Sequence, residues 1–361
     1  MSFSLDLERN LASQNNPLSI LFMACFTSDH LTALRSVCTP LSCDTFVAYP
    51  PATSPDVAIF GKNSDRPQGE SQSIRRYPGT SHHSDDDNLQ CTYIKIPQAK
   101  RTYAVLLSQI DWMWGAEHGM NECGVVIGNE AVWTRVHDES LSTKRLLGMD
   151  LVRLGLERGA TAKKSLDEIT TLLEEHGQGG PCAQNDPSFT YHNYFLIADK
   201  TEAWILETAG TQWVVQQVTK GARNISNTLT IRSDYDLCSK GLEDFAKTHQ
   251  LWDGTKPLDW AFCFGEGAVE ECNSTNSRQY YGRSLLDKHG TSQTLDYLAM
   301  MEILRDHNSG ICMHGGFETS ASMVSELKRD GSTHHWMMDT PHPCQNDYIL
   351  QDVVEEVSFE K

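Results

Sequence analysis

The sequence predicts an α+β protein in which helices pack on layered, mostly antiparallel sheets. Three observations lead there. Short apolar runs bounded by Gly, Pro, Asp or Lys-Thr turns recur on both sides of one helical block, giving the order strands, helix pair, strands. The 361 residues are 39% hydrophobic and 22% charged, enough to bury a large core. There is no repeat period, and the longest apolar run, Leu18 to Phe26, is too short to cross a bilayer.

Residues 1–42 differ in character from the rest of the chain. They carry a polar start, one apolar patch and then Thr39-Pro40-Leu41-Ser42, the text of an N-terminal extension or pro-segment, with 43–361 as a single domain. Thr45–Ala48 and Val57–Gly61, joined by Pro50-Pro51 and Ser54-Pro55, read as a hairpin. Further strands are expected at Tyr103–Gln109 and Gly124–Asn129, then at Tyr194–Ala198, Ala203–Thr208 and Trp213–Gln217. Between the two groups, Leu147, Leu151 and Leu154 mark one helical face, and Leu166, Ile169, Leu172 and Leu173 another. Gly159-Ala160-Thr161 separates the two helices, and Gly177-Gln178-Gly179-Gly180 stops the second. Ser84 to Asn88, with three aspartates, reads as an exposed loop.

Charge and cysteine usage exclude several functions. Against 48 Asp+Glu there are 30 Lys+Arg, a net charge of −18 with no basic run, so neither nucleic acid nor membrane insertion is expected. The eleven cysteines are scattered singly without C-x-x-C or zinc-type C…H spacing, and read as reduced thiols. Asp6 and Glu8 beside Arg9 make the segment before the apolar patch slightly acidic, unlike an export signal, so a cytoplasmic location is expected. Of the fourteen histidines, His82-His83 and His334-His335 diverge as adjacent pairs, and His307, His314 and His342 have no ligand spacing. No metal or other cofactor is therefore expected. There is no G-x-S-x-G elbow and no phosphate loop.

One thiol stands apart. Cys43 opens the first strand, comes after a segment of different character, and precedes Gly61-Lys62-Asn63-Ser64-Asp65-Arg66, which a hairpin would return beside it. Were the chain cleaved before Cys43, the new α-amine, with an ordinary pKa of about 7.7–8.0, would be a base able to activate its own thiol. Asp65 would then fix the amine. The competing readings are a small buried cysteine and a solvated turn after a strand. Trp112 to Gly124, with glycines at 115, 119 and 124, reads either as core or as close backbone approach to a site. Asn227 and Arg278 are polar residues at or after strand-like text, a setting that more often makes turns than catalysts.

The motifs Ser42–Ala48, Phe60–Arg66, Trp114–Glu117, Ile127–Trp133 and Leu147–Leu154 resemble the secernin family. So do Tyr191–Asn193, Ala203–Gly210, Asn224–Asn227 and Thr319–Ser325, and the resemblance runs from about residue 43 to 340. It implies an N-terminal-nucleophile hydrolase, an αββα sandwich of two antiparallel sheets flanked by helices. The same cysteine-peptidase group contains bacterial dipeptidases and, more distantly, bile salt hydrolase and penicillin V acylase. By motif it implies Cys43 as nucleophile, Asp65 as holder of the α-amine, Asn227 and the backbone N–H of Asn129 as oxyanion donors, and Arg278 as the active-site arginine. Lys62, Asn63, Trp114 and Glu117 fall at the substrate-binding positions. Lys62 stands where amidohydrolase relatives have Arg, the segment before Cys43 is longer than secernins carry, and the C-terminal text lacks their aromatic-rich tail. The implied activity is a cysteine-type dipeptidase or amidohydrolase acting on a small peptide or amide. The rivals are a non-enzymatic partner of the secretory machinery in regulated exocytosis and a carrier of a modified, electrophilic N-terminus.

Overall fold

Alternation sets the layers. Val47 and Tyr49 join a buried cluster with Ala58, Phe60, Val126, Leu196 and Ile205, whereas Phe46, Ala48 and Ile59 point the other way, onto Met300, Ile303 and Leu304. The computed structural model describes residues 43–82, 88–136, 141–266, 277–290 and 294–354, all within one compact unit, Ser42–Lys361. The N-terminal extension and residues 84–87 of the acidic patch lie outside the described residues.

In chain order the elements begin with β1 (Asp44–Tyr49), β2 (Val57–Pro67), β3 (Gln72–Tyr77), β4 (Thr80–Ser81), β5 (Asn88–Gln90), β6 (Lys95–Pro97), β7 (Arg101–Thr102), β8 (Val105–Ile110), β9 (Ala116–Asn121) and β10 (Val126–Val132). Then come α1 (Gly148–Arg158), α2 (Ala162–His176), β11 (His192–Ala198), β12 (Ala203–Ala209), β13 (Gln212–Val218), β14 (Gly221–Ile225) and β15 (Leu237–Cys238). The last are α3 (Leu242–Thr248), α4 (Trp260–Phe264), α5 (Arg278–Gly290), α6 (Tyr297–Leu304), β16 (Phe317–Lys328), β17 (Thr333–Met338) and β18 (Ile349–Gln351).

One sheet has the order β14-β1-β2-β16-β17-β18, and the other β15-β13-β12-β11-β10-β9-β8-β3, with antiparallel pairing throughout. Helices α1 and α2 pack on β9 to β12 of the larger sheet, α5 on β14, and α6 on β2 and β16 of the smaller, while β1 and β2 touch β9 to β11 across the interior. The layers are therefore helix, sheet, sheet, helix, the αββα arrangement.

Local chemistry explains the edges of the helical block. Thr161 accepts from the Lys164 N–H through its hydroxyl to start α2, and Gly177 ends it at φ 69, a conformation glycine takes without strain. Asp150 accepts from the Leu147 N–H at 3.0 Å to fix the first turn of α1. Gly115 has a packing reason: a Cβ there would lie 2.3 Å from the Met149 backbone, so glycine lets α1 settle on the start of β9.

The structure corrects or extends the sequence expectation at three places. The polar run after Gly61 is no solvated turn; β2 continues through it to Pro67, with Lys62 to Arg66 all buried. The glycine-rich stretch before Gly124 contains β9, a fully buried inner strand. The C-terminal text supplies a short final strand, β18, paired with β17.

Candidate active site

Register brings the nucleophile candidate to its partners. Asp44 lies opposite Asn63 and Thr45 opposite Lys62, so the register continues with Cys43 opposite Ser64 and beside the backbone of Asp65. The Asp65 N–H donates to Cys43 Sγ at 3.3 Å, and the thiol lies 3.8 Å from the Asp65 carbonyl oxygen and 4.0 Å from Glu117 Oε2. The Cys43 N–H donates to Asn227 Oδ1 at 3.0 Å, and Arg278 Nη2 donates to the same oxygen at 2.7 Å. Two donors on one oxygen fix the carboxamide, so that Nδ2 donates to the Ala131 carbonyl at 2.8 Å. Arg278 also donates to Ser226 Oγ at 3.1 Å and lies 3.8 Å from Asp44 Oδ2. Five sequence candidates, Cys43, Asp65, Glu117, Asn227 and Arg278, thus meet at the head of β1.

Two buried ionic groups back this cluster. Lys62 Nζ lies 3.0 Å from Glu130 Oε1 and donates to the Asn129 carbonyl at 2.8 Å, while Thr45 donates to the same Glu130 oxygen. Arg66 bridges Glu117 at 3.0 Å and Glu70 at 2.5 Å, donates to the Cys182 carbonyl at 2.6 Å, and reaches Tyr191 Oη at 3.5 Å. A buried charge needs such partners, and here each cation has a carboxylate and a carbonyl.

Burial pushes the Cys43 thiol far above its ordinary value; Lys62 pulls it down, and Glu117, Asp65 and Glu130 push it up. Burial also opposes charge on Lys62, but the charges around it, Glu130 and Glu117 among them, outweigh it and hold the ammonium above its usual range. The thiol is therefore neutral and needs a base within reach. In the intact chain the Cys43 nitrogen is a peptide N–H, a donor rather than a base.

Four further candidates sit differently. Lys62 is wholly buried on Glu130, so it acts on the thiol through its charge. The Asn63 amide donates to the Leu304 and Ile311 carbonyls at 2.8 and 2.9 Å, and its oxygen accepts from Ser322, so the side chain braces the loop after α6. The Asn129 side chain donates to Asn193 Oδ1 at 2.9 Å on the α1 side of the sheet; Ala131, two residues further on, is the β10 residue bonded to Asn227. Trp114 is not brought to the thiol, because the Arg153 guanidinium stacks 4.1 Å from its ring and donates to its carbonyl. The tryptophan that joins the Arg66 network is Trp112, whose indole N–H donates to Glu70 at 3.2 Å.

Arg66, Glu70, Glu130 and Tyr191 were not among the sequence candidates. The available signal was parity: Lys62, Ser64 and Arg66 share the strand face of Ala58 and Phe60, so a continuing strand turns all three inward.

The class is a hydrolase of amide bonds, as the family match shows. Residues 86–300 match peptidase family C69, and the chain belongs to that family. The matched stretch contains Glu117, Asn129, Asn227 and Arg278, and begins after Cys43 and Asp65. Similar solved structures include two variants of conjugated bile acid hydrolase from Clostridium perfringens, each at 15% identity. They cover 86% and 88% of this chain and 96% and 100% of their own, with TM-scores of 0.46 and 0.47. A Caenorhabditis elegans ortholog of N-acylethanolamine-hydrolyzing acid amidase matches at 13% identity over 78% of this chain and 92% of its own, with a TM-score of 0.43. Among the described residues no helix is long and apolar enough to cross a membrane.

Proposed function

We propose that the chain is a cysteine-type dipeptidase or amidohydrolase, most like the secernins within its family and with an opening motif most like that of secernin-3, whose nucleophile is Cys43 once residues 1–42 are removed. The observation that carries this reading is that both reactive atoms of Cys43 are already held, the nitrogen on Asn227 Oδ1 at 3.0 Å and the sulfur under the Asp65 N–H at 3.3 Å. Cleavage would turn that nitrogen into an amine, the base the neutral thiol needs.

In this mechanism the amine takes the thiol proton, and the thiolate attacks the carbonyl carbon of a small amide. The amine then returns the proton to the leaving nitrogen as the C–N bond breaks. Water, deprotonated by the same amine, attacks the thioester carbonyl; the carbon–sulfur bond breaks and the acid leaves. A carboxamide has two N–H groups, and Ala131 accepts from one on Asn227; the other is the proposed donor to the oxyanion, with Arg278 pinning the amide. Asp65 and Lys62 set the charge around the amine and thiol.

The test compares full-length chain, chain beginning at Cys43, and the Cys43→Ala form on a panel of dipeptides and acyl amides, with intact mass measured for each. Turnover in the chain beginning at Cys43 and none in Cys43→Ala is expected. No turnover from a folded chain with a free Cys43 amine would sink the reading. A full-length mass in cells would favour a non-enzymatic exocytosis partner, since the peptide nitrogen on Asn227 is no base; an altered mass at Cys43 would favour a modified, electrophilic N-terminus.

A further inference from the structure

Among the described residues, four ligand-type side chains from two separate loops converge at one point. His307 and His314 with Cys312 lie between α6 and β16, and Cys344 lies between β17 and β18; their four ligand atoms all lie within 4.8 Å of one another. We propose that His307, Cys312, His314 and Cys344 form a structural zinc site of the Cys2His2 type.

The spacing of the atoms carries the argument. Zinc bonds of about 2.0–2.1 Å to nitrogen and about 2.3 Å to sulfur, at tetrahedral angles, require edges of about 3.3–3.4 Å for N···N and about 3.5–3.6 Å for S···N. The edges here are 3.3 Å from His314 Nε2 to His307 Nε2, and 3.5 Å from His314 Nε2 to each of Cys312 Sγ and Cys344 Sγ. Hydrogen bonding does not explain the cluster. An imidazole nitrogen has one N–H or one lone pair, yet three groups close on His314 Nε2 at nearly equal range. Two thiolates with two imidazoles suit zinc, and four protein ligands leave no open position, the mark of a structural site.

The loops are built to hold this geometry. Cys312 N–H donates to the Asp306 carbonyl at 3.0 Å and Gly310 N–H to the His307 carbonyl at 3.1 Å, which curls the first loop. Arg305 donates to the Pro343 and Asn346 carbonyls at 2.7 and 3.0 Å, drawing the turn that bears Cys344 against it. His342 stacks on His314 at 4.2 Å between ring centres and meets Glu318 at 3.4 Å. Through Asn63, which donates to Leu304 and Ile311, the same loop braces the strand that bears Asp65. The metal would thus tie the β17–β18 connection to the segment supporting β2, whatever the chemistry at Cys43.

Untagged protein purified without chelator should contain about one zinc per chain by elemental analysis. Replacement by cobalt should give the visible bands of tetrahedral cobalt and a thiolate charge-transfer band. The Cys312→Ser/Cys344→Ser double variant should lose both metal and bands, whereas Cys43→Ala keeps them. Metal below about a tenth of an equivalent without a cobalt spectrum would overturn the proposal, since coordination is coupled to folding in such sites. So would full metal content in the double variant, or a Cys312–Cys344 disulfide in the purified chain. The cobalt spectrum of the unaltered protein keeps the test decisive even if a variant fails to fold.

Discussion

Along the same strands, the two ends of the layer between the sheets are made of opposite materials. On the inward face of β2, Ala58 and Phe60 are followed by Lys62, Ser64 and Arg66; on β1, Tyr49 and Val47 give way to Thr45 and Cys43. The larger sheet answers in kind, with Val126 and Leu196 at one end and Glu130 and Glu117 at the other. One end is held by removing apolar area from water, a nondirectional force. The other is held by ion pairs whose desolvation is offset only while every partner is present. That end surrounds the thiol, so the reactive group sits where neighbours have fixed positions and charge.

The sharpest way to break the contrast is to remove one group from each end. Lys62→Met should destabilise by about 3–5 kcal/mol because it strands Glu130 without a counter-charge, and Lys62→Met/Glu130→Leu should recover most of that loss. Phe60→Ala should cost a similar amount, about 3–5 kcal/mol, through lost burial and the cavity left behind. No single partner substitution should rescue it. Urea unfolding of the three forms decides the matter: if the double variant is no better than Lys62→Met, the charged end is not organised as a pair.

The next contrast concerns carboxylates with and without a cation. Burial pushes Glu130 up to about 7 even with Lys62 beside it; Glu207 on β12 has N–H and O–H donors in place of a cation, accepting through one oxygen from the Thr230 N–H, the Thr230 hydroxyl and the Ile231 N–H. Burial pushes Glu207 from its ordinary 4.5 up to about 7, the hydrogen bonds only partly opposing it. The folded state therefore binds this proton more tightly than the unfolded chain. Its contribution to stability is complete below about pH 4.5 and is lost as pH rises through about 7. Glu207→Gln keeps an acceptor and removes the titration, so it should match the parent near pH 4.5 and exceed it by roughly 2–3 kcal/mol near pH 8. Equal stability of the two at both pH values would mean that Glu207 is not forced toward its neutral form.

How much of this was legible depends on which force shapes each segment. The β1–β2 hairpin was readable because Phe46, Val47, Ile59 and Phe60 alternate around proline turns. The second half of β2 was not, because an interior built of Lys62, Ser64 and Arg66 erases the apolar period that marks a strand. Cys43, Asp65, Asn227 and Arg278 were found from motif and position, and the fold brings them together. The side chains of Trp114 and Asn63 turn to partners remote in sequence, Arg153 for one and the Leu304 and Ile311 carbonyls for the other, which no local pattern announces. The His and Cys cluster proposed to hold zinc escaped for the same reason: His307, Cys312 and His314 wait some thirty residues for Cys344, and the Arg305-bound turn brings it back.

The smallest predicted effect falls on the seam between the two ends. Gly128 on β10 faces inward with Phe60 on one side and Lys62 on the other; an added Cβ would lie 3.0 Å from Thr45 Oγ1, 3.1 Å from Lys62 Cδ and 3.4 Å from Phe60 Cζ. Gly128→Ala should therefore cost about 1–2 kcal/mol by overpacking, with Lys62 displaced first because its stem has more freedom than a ring edge or a strand-bound hydroxyl. Displacing Lys62 would disturb its bonds to Glu130 and the Asn129 carbonyl, so the cost should fall by about 0.5 kcal/mol or more in the Lys62→Met/Glu130→Leu background. Equal cost in both backgrounds would mean that the apolar side absorbs the methyl group. The seam would then be a gradual change in composition, with no coupling between the ionic network behind Cys43 and the core it adjoins.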